Sequence, residues 1–142
     1  MTKNLRVKTS KFIDETYKVS FKFNGTTYYG YKGDTLALIY NFSDISEEKT
    51  FLTENSQEFQ IGGFNLKKDD YVERHIHHNQ KREVHNTSEV IFVISGEIEI
   101  EIYDIDKSFL TREYIQENTL VALFQGGHSI KVVQDSKFIE VK

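Results

Sequence analysis

The chain of 142 residues contains no cysteine, no proline and no tryptophan. Without cysteine it forms no disulfide and offers no thiolate, so zinc ribbons, iron–sulfur clusters and cysteine nucleophiles are excluded. A bound metal ion would have to be held by imidazole and carboxylate groups. Without proline, the turns have to be made by glycine, asparagine and aspartate, which accept the backbone angles of tight turns.

The chain also lacks an excess of positive charge and a long apolar run. Its formal net charge is −4 and its isoelectric point is about 5.7. Lysine and arginine are interspersed with acids, which argues against a nucleic-acid partner. No segment has the apolar length of a membrane span or signal peptide. We therefore expect a single-domain cytoplasmic protein that binds neither nucleic acid nor membrane.

Aromatic residues are abundant, with 11 Phe and 8 Tyr, and they suit half-buried strands. Alternation across residues 19–23 predicts a strand, and Asn24-Gly25 predicts the hairpin turn that follows it. The run "TLALIYNF", residues 35–42, predicts a strand that is buried on both faces. The polar segment 43–58 is compatible with a helical turn capped by Ser46.

The second half of the chain is a series of short apolar segments separated by polar breaks. Each is four to ten residues long, and regular short strands of this kind predict a sandwich or barrel. The predicted strands are "FQIGGFNL", "DDYVERHIHH", "EVIFVISG", "EIEIEIYD", "TLVALFQGGH", "SIKVV" and "KFIEVK". The sequence therefore predicts an all-β protein with little helix.

Two histidines of the stretch "ERHIHHNQKREVHNTSE" share one face if that stretch is a strand. Side chains alternate in a strand, so His75 and His77 point to one side and His78 points to the other. Two imidazoles side by side on one face can both coordinate the same metal ion. Glu89 begins the apolar run "EVIFVISG", where a carboxylate must be solvated, paired or bound to a cation.

A turn or bulge is predicted at Ser95-Gly96, where a new strand would begin. If the alternation continued unbroken, Glu97, Glu99 and Glu101 would enter the core. A break at Gly96 turns these glutamates to solvent and their isoleucine neighbours inward. They are therefore not candidate ligands. The fifth histidine, His128, follows "FQGG", where two glycines permit a sharp turn.

The arrangement of His75-x-His77, Glu89 followed by six residues and Gly96, and then His128 resembles the two metal motifs of the cupin superfamily. "HIHH", "TSEVIFVISG", "GGH" and "IEVK" are similar to small stand-alone cupins that are encoded among surface-polysaccharide genes. The resemblance implies one cupin domain over residues 1–142, with N-terminal strands at about 1–58 and a metal-binding core at about 59–142. It implies a double-stranded β-helix, or jelly-roll barrel, and we expect a homodimer.

By the same resemblance, His75, His77, Glu89 and His128 fall on the positions that hold one divalent metal ion. Mixed imidazole and carboxylate ligation suits iron, manganese, nickel, zinc or copper. The loop between His77 and Glu89 has eleven residues, longer than in the usual motif, and it enlarges the rim of the site. On that loop Lys81, Arg82 and His85 form a candidate cationic binding site for a carboxylate or phosphate.

Three functions remain open. The favoured one is a metal-dependent cupin that binds or acts on a small polar molecule, a sugar or sugar nucleotide, with the ion as Lewis acid for isomerisation or epimerisation. The second is an iron-dependent dioxygenase. The third is a non-catalytic binding or assembly module whose metal is structural or absent. No residue stands out as a general base, because the best histidines are candidate ligands.

Overall fold

A computed structural model describes residues 18–23, 25–31 and 34–142 of the chain. These residues form nine strands and a single 3-10 turn at Phe42–Asp44. The all-β prediction with little helix is confirmed. The strands are β1 Lys18–Phe23, β2 Thr26–Tyr31, β3 Asp34–Asn41, β4 Lys49–Phe51, β5 Gly62–Phe64, β6 Glu89–Tyr103, β7 Phe109–Gln116, β8 Thr119–Leu123 and β9 Gly127–Val141.

Seven of the strands form one antiparallel sheet, in the order β1-β2-β3-β8-β6-β7, and β9 pairs with β6. β4 and β5 form a separate two-stranded sheet. Within the described residues the large sheet does not close on itself, because β1, β7 and β9 each pair with one strand. No helix in the described part of the chain has the length and apolar character needed to cross a membrane.

The N-terminal strands follow the predicted pattern. β1 and β2 form a hairpin in which Phe23 lies opposite Thr26, and Gly25 has a φ of 74°, as a tight hairpin turn requires. Asn24 lies outside the described residues. In β3 the side chains of Leu36, Ala37 and Leu38 are all fully buried, which confirms a strand covered on both faces.

The sheet has an apolar core on each face. One core lies between Tyr29 of β2, Ala37 of β3 and the inward residues of β6, β7 and β8. The Tyr29 hydroxyl donates a hydrogen bond to Glu113 of β7 across 2.6 Å, so β2 and β7 meet around this core. The other core joins Tyr28, Leu38 and Tyr40 to Leu52 and Phe124. Residues 42–61 cover that second face.

β6 and β9 form a long two-stranded ribbon that bends back on itself. Val90 pairs with Val141 at one end of the ribbon, and Ile102 pairs with His128 at the other. A straight strand would separate Glu89 from Ile102 by about 40 Å. The side chains of Glu89 and His128 nevertheless lie 3.3 Å apart. The ribbon must therefore fold over, with both halves of β6 facing one core.

The bend lies where the pairing of β6 with β9 is irregular, between Val93 and Ile98. Gly96 has a φ of 85°, a conformation that residues with a side chain rarely adopt. A Cβ atom at this position would collide with the carbonyl oxygen of Asp135 and with Ser136. The predicted break at Gly96 is thus a bulge inside one continuous strand, and no new strand begins there.

The prediction that the isoleucines after Gly96 point into the core and the glutamates point away from it is confirmed. Ile98, Ile100 and Ile102 are fully buried. Glu99 and Glu101 lie on the opposite face, where both pair with Arg112 of β7.

Three further sequence predictions are wrong. "SIKVV" and "KFIEVK" belong to one strand, β9, because the bent ribbon keeps both in register with β6. The 3-10 turn is capped by Asn41, whose side chain accepts from the backbone of Ser43, so Ser46 is not the cap. The segment "DDYVERHIHH" lies in no strand, because it has no partner strand in the described structure.

We predict that Gly96→Ala will lower the free energy of unfolding by at least about 2 kcal/mol, because the side chain meets the β9 backbone and the positive φ is strained. Urea denaturation would measure the loss. Gly62→Ala is the matched control, since Gly62 is exposed and its nearest neighbour is the edge of the Phe51 ring at 3.3 Å. Equal losses in the two variants would contradict the role given to the bend.

Candidate functional site

The bent ribbon brings together two of the four predicted metal ligands. Glu89 is the first residue of β6, and His128 is the second residue of β9. His128 Nε2 lies 3.3 Å from Glu89 Oε2, with 29% and 10% of the respective side chains exposed. Glu89 shares the core face with Ile91 and Val93, which explains its burial. The two donors thus lie at a partly sheltered edge of the core.

Two residues at the end of β9 extend this pair. Glu140 lies opposite Ile91, so it shares the face of Glu89, and the two carboxyl groups are hydrogen-bonded to each other. Lys142 Nζ lies 3.3 Å from Glu140 Oε1. Sequence reasoning missed both residues, although the alternation of Phe138, Glu140 and Lys142 places them on one face. We call Glu89, His128, Glu140 and Lys142 the ribbon-edge cluster.

The charges of the ribbon-edge cluster are shifted by their surroundings. Burial and the hydrogen bond that protonated Glu89 donates to Glu140 raise the pKa of Glu89 to about 7, while that same bond lowers the pKa of Glu140. Burial lowers the pKa of His128, although the charge of Glu140 opposes this shift. The two carboxyl groups therefore hold one proton near neutral pH, because they are too close for both to ionise freely. A cation would compete with that proton.

The other two predicted ligands also lie together. His75 Nε2 and His77 Nε2 are 3.2 Å apart. His75 Nδ1 lies 2.8 Å from the carbonyl oxygen of Glu73, to which it donates. In the neutral ring this bond leaves the lone pair on Nε2, the atom that points toward His77. A backbone carbonyl behind a histidine is the usual way to orient an imidazole ligand.

These histidines belong to a long exposed segment, residues 65–88, which we call the histidine arm. It contains no helix or strand, and its residues 65–87 are all exposed. At one end Asn65 donates to the backbone of Glu48 and Ile45. At the other end the backbone amides of His85 and Asn86 both donate to Glu58 Oε1, across 2.7 and 3.2 Å. The arm is thus attached at both ends to residues 45–58.

The four predicted ligands fit a divalent metal ion in their chemistry but not in their placement. Imidazole and carboxylate donors suit such an ion. However, in the described ranges 18–23, 25–31 and 34–142, no three histidine, aspartate or glutamate side chains are placed to hold one ion. His75 and His77 form one pair on the arm, and Glu89 and His128 form another at the ribbon edge. The described structure thus has two separate pairs of candidate ligands, which we call the two half-sites.

The predicted cationic residues lie partly in a polar cleft beside the arm. The cleft has a volume of about 610 Å³, which suits a small ligand. Arg82 and His85 line it, whereas Lys81 and His78 are exposed and do not. Its remaining lining comes from the arm and from residues 55–60, namely Asn55, Ser56, Gln57, Glu58, Phe59, Gln60, Gln80 and Glu83.

The chain matches no protein-family model, no curated protein and no solved structure. The candidate site therefore rests on its own geometry.

Glu58 is a further residue of the cleft that sequence reasoning missed. One of its carboxylate oxygens accepts both amides at the end of the arm, as described above. Its other oxygen, Oε2, is buried and has no hydrogen-bond partner in the structure. A buried acceptor without a donor costs free energy. No sequence signal distinguishes Glu58 from the other acids of its polar segment, since its partners are backbone amides 27 and 28 residues away.

We predict that the contribution of Glu89 to the free energy of unfolding of metal-free protein falls as the pH rises from about 4.5 to about 7. Glu89 has a raised pKa in the folded state, so that state holds a proton that the unfolded chain releases in this window. Glu89→Gln should reduce the fall by at least about 1 kcal/mol. Urea denaturation at pH 5 and pH 8 in chelator would measure it.

Glu73→Gln, which changes an exposed carboxylate of the arm, is the control and should keep the wild-type pH dependence. Glu140 has a lowered pKa, so its contribution to the free energy of unfolding is lost as the pH falls. That loss occurs at lower pH than the Glu89 effect and has the opposite sign. An unchanged slope in Glu89→Gln would contradict the buried, proton-holding state of Glu89.

Proposed function

We propose that this chain is a metal-binding cupin that binds a small polar molecule, a sugar or sugar nucleotide. The observation that carries the proposal is the contact between Glu89 and His128. These residues lie 39 positions apart in the sequence, and they touch only because the ribbon bends. The two predicted motifs thus meet in space, which is what a shared metal site requires.

Each half-site supports the proposal by its donor geometry. The imidazole pair on the arm presents two Nε2 atoms side by side, one of them oriented by a backbone carbonyl. The ribbon-edge cluster holds a carboxyl group whose proton a cation would displace. A jelly-roll barrel would require the large sheet to close on itself, and the bent β6–β9 ribbon would then form part of such a barrel.

The polar cleft supports a ligand rich in hydroxyl groups. Its side-chain amides and hydroxyls can each donate and accept hydrogen bonds, and Phe59 adds one aromatic surface. Arg82 and His85 would pair with a phosphate, which favours a sugar nucleotide over a free sugar.

We predict that purified protein binds one divalent ion per chain and that His77→Ala weakens this binding at least about tenfold, because it removes a directly coordinating group. Protein stripped with chelator would be titrated separately with zinc, manganese, nickel and, without oxygen, iron(II). Metal content would be measured after gel filtration.

His78→Ala is the control for the metal titration. It changes a neighbouring exposed histidine that is not among the proposed ligands. Wild-type metal content in His77→Ala, or an equal loss in both variants, would contradict the proposed ligands.

We predict that UDP-glucose raises the melting temperature of the protein and that Arg82→Ala reduces this rise by at least about half, because the variant loses a charge-assisted contact to phosphate. Glucose has no phosphate, so the rise in melting temperature that it causes should be the same in the wild-type protein and in Arg82→Ala. Lys81→Ala is the matched variant, since Lys81 does not line the cleft. An effect of Lys81→Ala as large as that of Arg82→Ala would contradict the cleft as the binding site.

A further inference from the structure

The polar cleft beside the histidine arm has two walls that come from different parts of the chain. One wall consists of residues 55–60. The other, which we call the arm wall, consists of Gln80, Arg82, Glu83 and His85. The arm wall lies in no strand, and all four of its residues are exposed. Its position is therefore set neither by sheet pairing nor by burial in a core.

Two backbone amides attach the arm wall to the opposite wall. The amides of His85 and Asn86 both donate to Glu58 Oε1, across 2.7 and 3.2 Å. Hydrogen bonds from backbone amides to a carboxylate are charge-assisted and stronger than those between neutral groups. Arg82 lies three residues before the first of these amides, so the contact fixes the piece of chain from which Arg82 projects.

The rest of the arm provides no second attachment of this kind among residues 18–23, 25–31 and 34–142. Every hydrogen bond that residues 66–84 make with other residues of these ranges stays within the arm. The attachment at the other end of the arm is at Asn65, 15 positions before Gln80. In the described structure, the arm wall therefore depends on Glu58 for its place.

We propose that Glu58 is the positioning residue of the cleft. Through the amides of His85 and Asn86, it holds residues 80–86 in place as the arm wall. Arg82 and the His85 side chain are then preorganised for one ligand, which lowers the cost of ordering them on binding. The choice of a phosphate-bearing sugar as that ligand rests on the proposed function, whereas the positioning rests on the two hydrogen bonds.

The second oxygen of Glu58 indicates a role in positioning more than in stability. Oε2 is buried and has no hydrogen-bond partner in the described structure, which costs free energy. Replacing Glu58 with alanine would remove this cost together with the two hydrogen bonds of Oε1. We therefore expect Glu58→Ala to fold, with the arm wall released.

Hydrogen exchange tests the positioning without ligand or metal. In wild-type protein in chelator, the amides of His85 and Asn86 should exchange slowly although both residues are exposed, and Glu58→Ala should accelerate both at least about tenfold. Glu47→Ala is the matched control, since Glu47 is an exposed acid of the same polar segment and does not line the cleft. Equal exchange in the wild type and Glu58→Ala would overturn the proposal.

Glu58→Gln separates positioning from charge. Glutamine keeps an oxygen that can accept from both amides but carries no negative charge. In calorimetric titrations with UDP-glucose, Glu58→Ala should weaken binding at least about fivefold, and Glu58→Gln should weaken it less. Equal weakening in the two variants would overturn the proposal. Tighter binding in Glu58→Ala would also overturn it, because the carboxylate would then act by repelling the phosphate.

A double-variant cycle tests whether Glu58 acts through Arg82. Glu58→Ala and Arg82→Ala each remove the contact between Arg82 and the phosphate. The combined variant should therefore weaken UDP-glucose binding by less than the product of the two single effects. A loss equal to that product would show that the two residues act independently and would contradict the positioning role.

The positioning by Glu58 and the proposed function can fail separately. If UDP-glucose does not bind the wild-type protein but Glu58→Ala releases both amides, the proposed ligand is removed and the positioning stands. If UDP-glucose binds the wild type and Glu58→Ala equally and the exchange of the two amides is unchanged, the proposed function stands and the positioning is removed.

Discussion

The bend of the β6–β9 ribbon at Gly96 is the constraint on which the rest of the structure depends. It requires a positive φ and the absence of a side chain, because the backbone of Asp135 lies against Gly96. The bend allows one strand of 15 residues to supply both walls of a core. It also places the beginning of β6 next to the beginning of β9. Without it, Glu89 and His128 would lie at opposite ends of a long ribbon.

The electrostatics of the candidate site follow from burial and from the pairing of β6 with β9. Because Glu89 lies on the core face it loses solvent, and because the end of β9 pairs with the beginning of β6, Glu140 becomes its hydrogen-bond partner. Both effects favour the protonated form of Glu89, so the two carboxyl groups share one proton and one negative charge. A divalent ion would displace that proton and be coordinated by the ionised carboxylates. Ion binding would therefore depend on pH. The imidazole pair lies apart, on an arm that pairs with no strand among residues 18–23, 25–31 and 34–142.

The alternation of apolar and polar residues correctly predicted those strands whose conformation is decided by which side chains are buried. Alternation identified β1 and β3, and it placed the isoleucines around Ile100 inward and Glu99 outward. The same reasoning located the irregularity at Gly96, but it could not show that the strand continues, since pairing with β9 is a long-range property. It also missed Glu140 and Glu58, because their partners come from distant parts of the chain. His75 and His77 lie together although their segment is not the strand on which that prediction was based, and their distance from Glu89 depends on where the arm lies.

X-ray absorption spectroscopy of the zinc-loaded protein tests most directly whether the two half-sites bind one ion. The number of imidazole nitrogens bound to zinc distinguishes the alternatives. We predict three imidazoles and one carboxylate, at the distances usual for zinc of about 2.0–2.1 Å for nitrogen. A site with one imidazole would mean that zinc binds the ribbon edge alone, and a site with two would mean that it binds the arm alone. Either result would contradict a shared site built from His75, His77, Glu89 and His128.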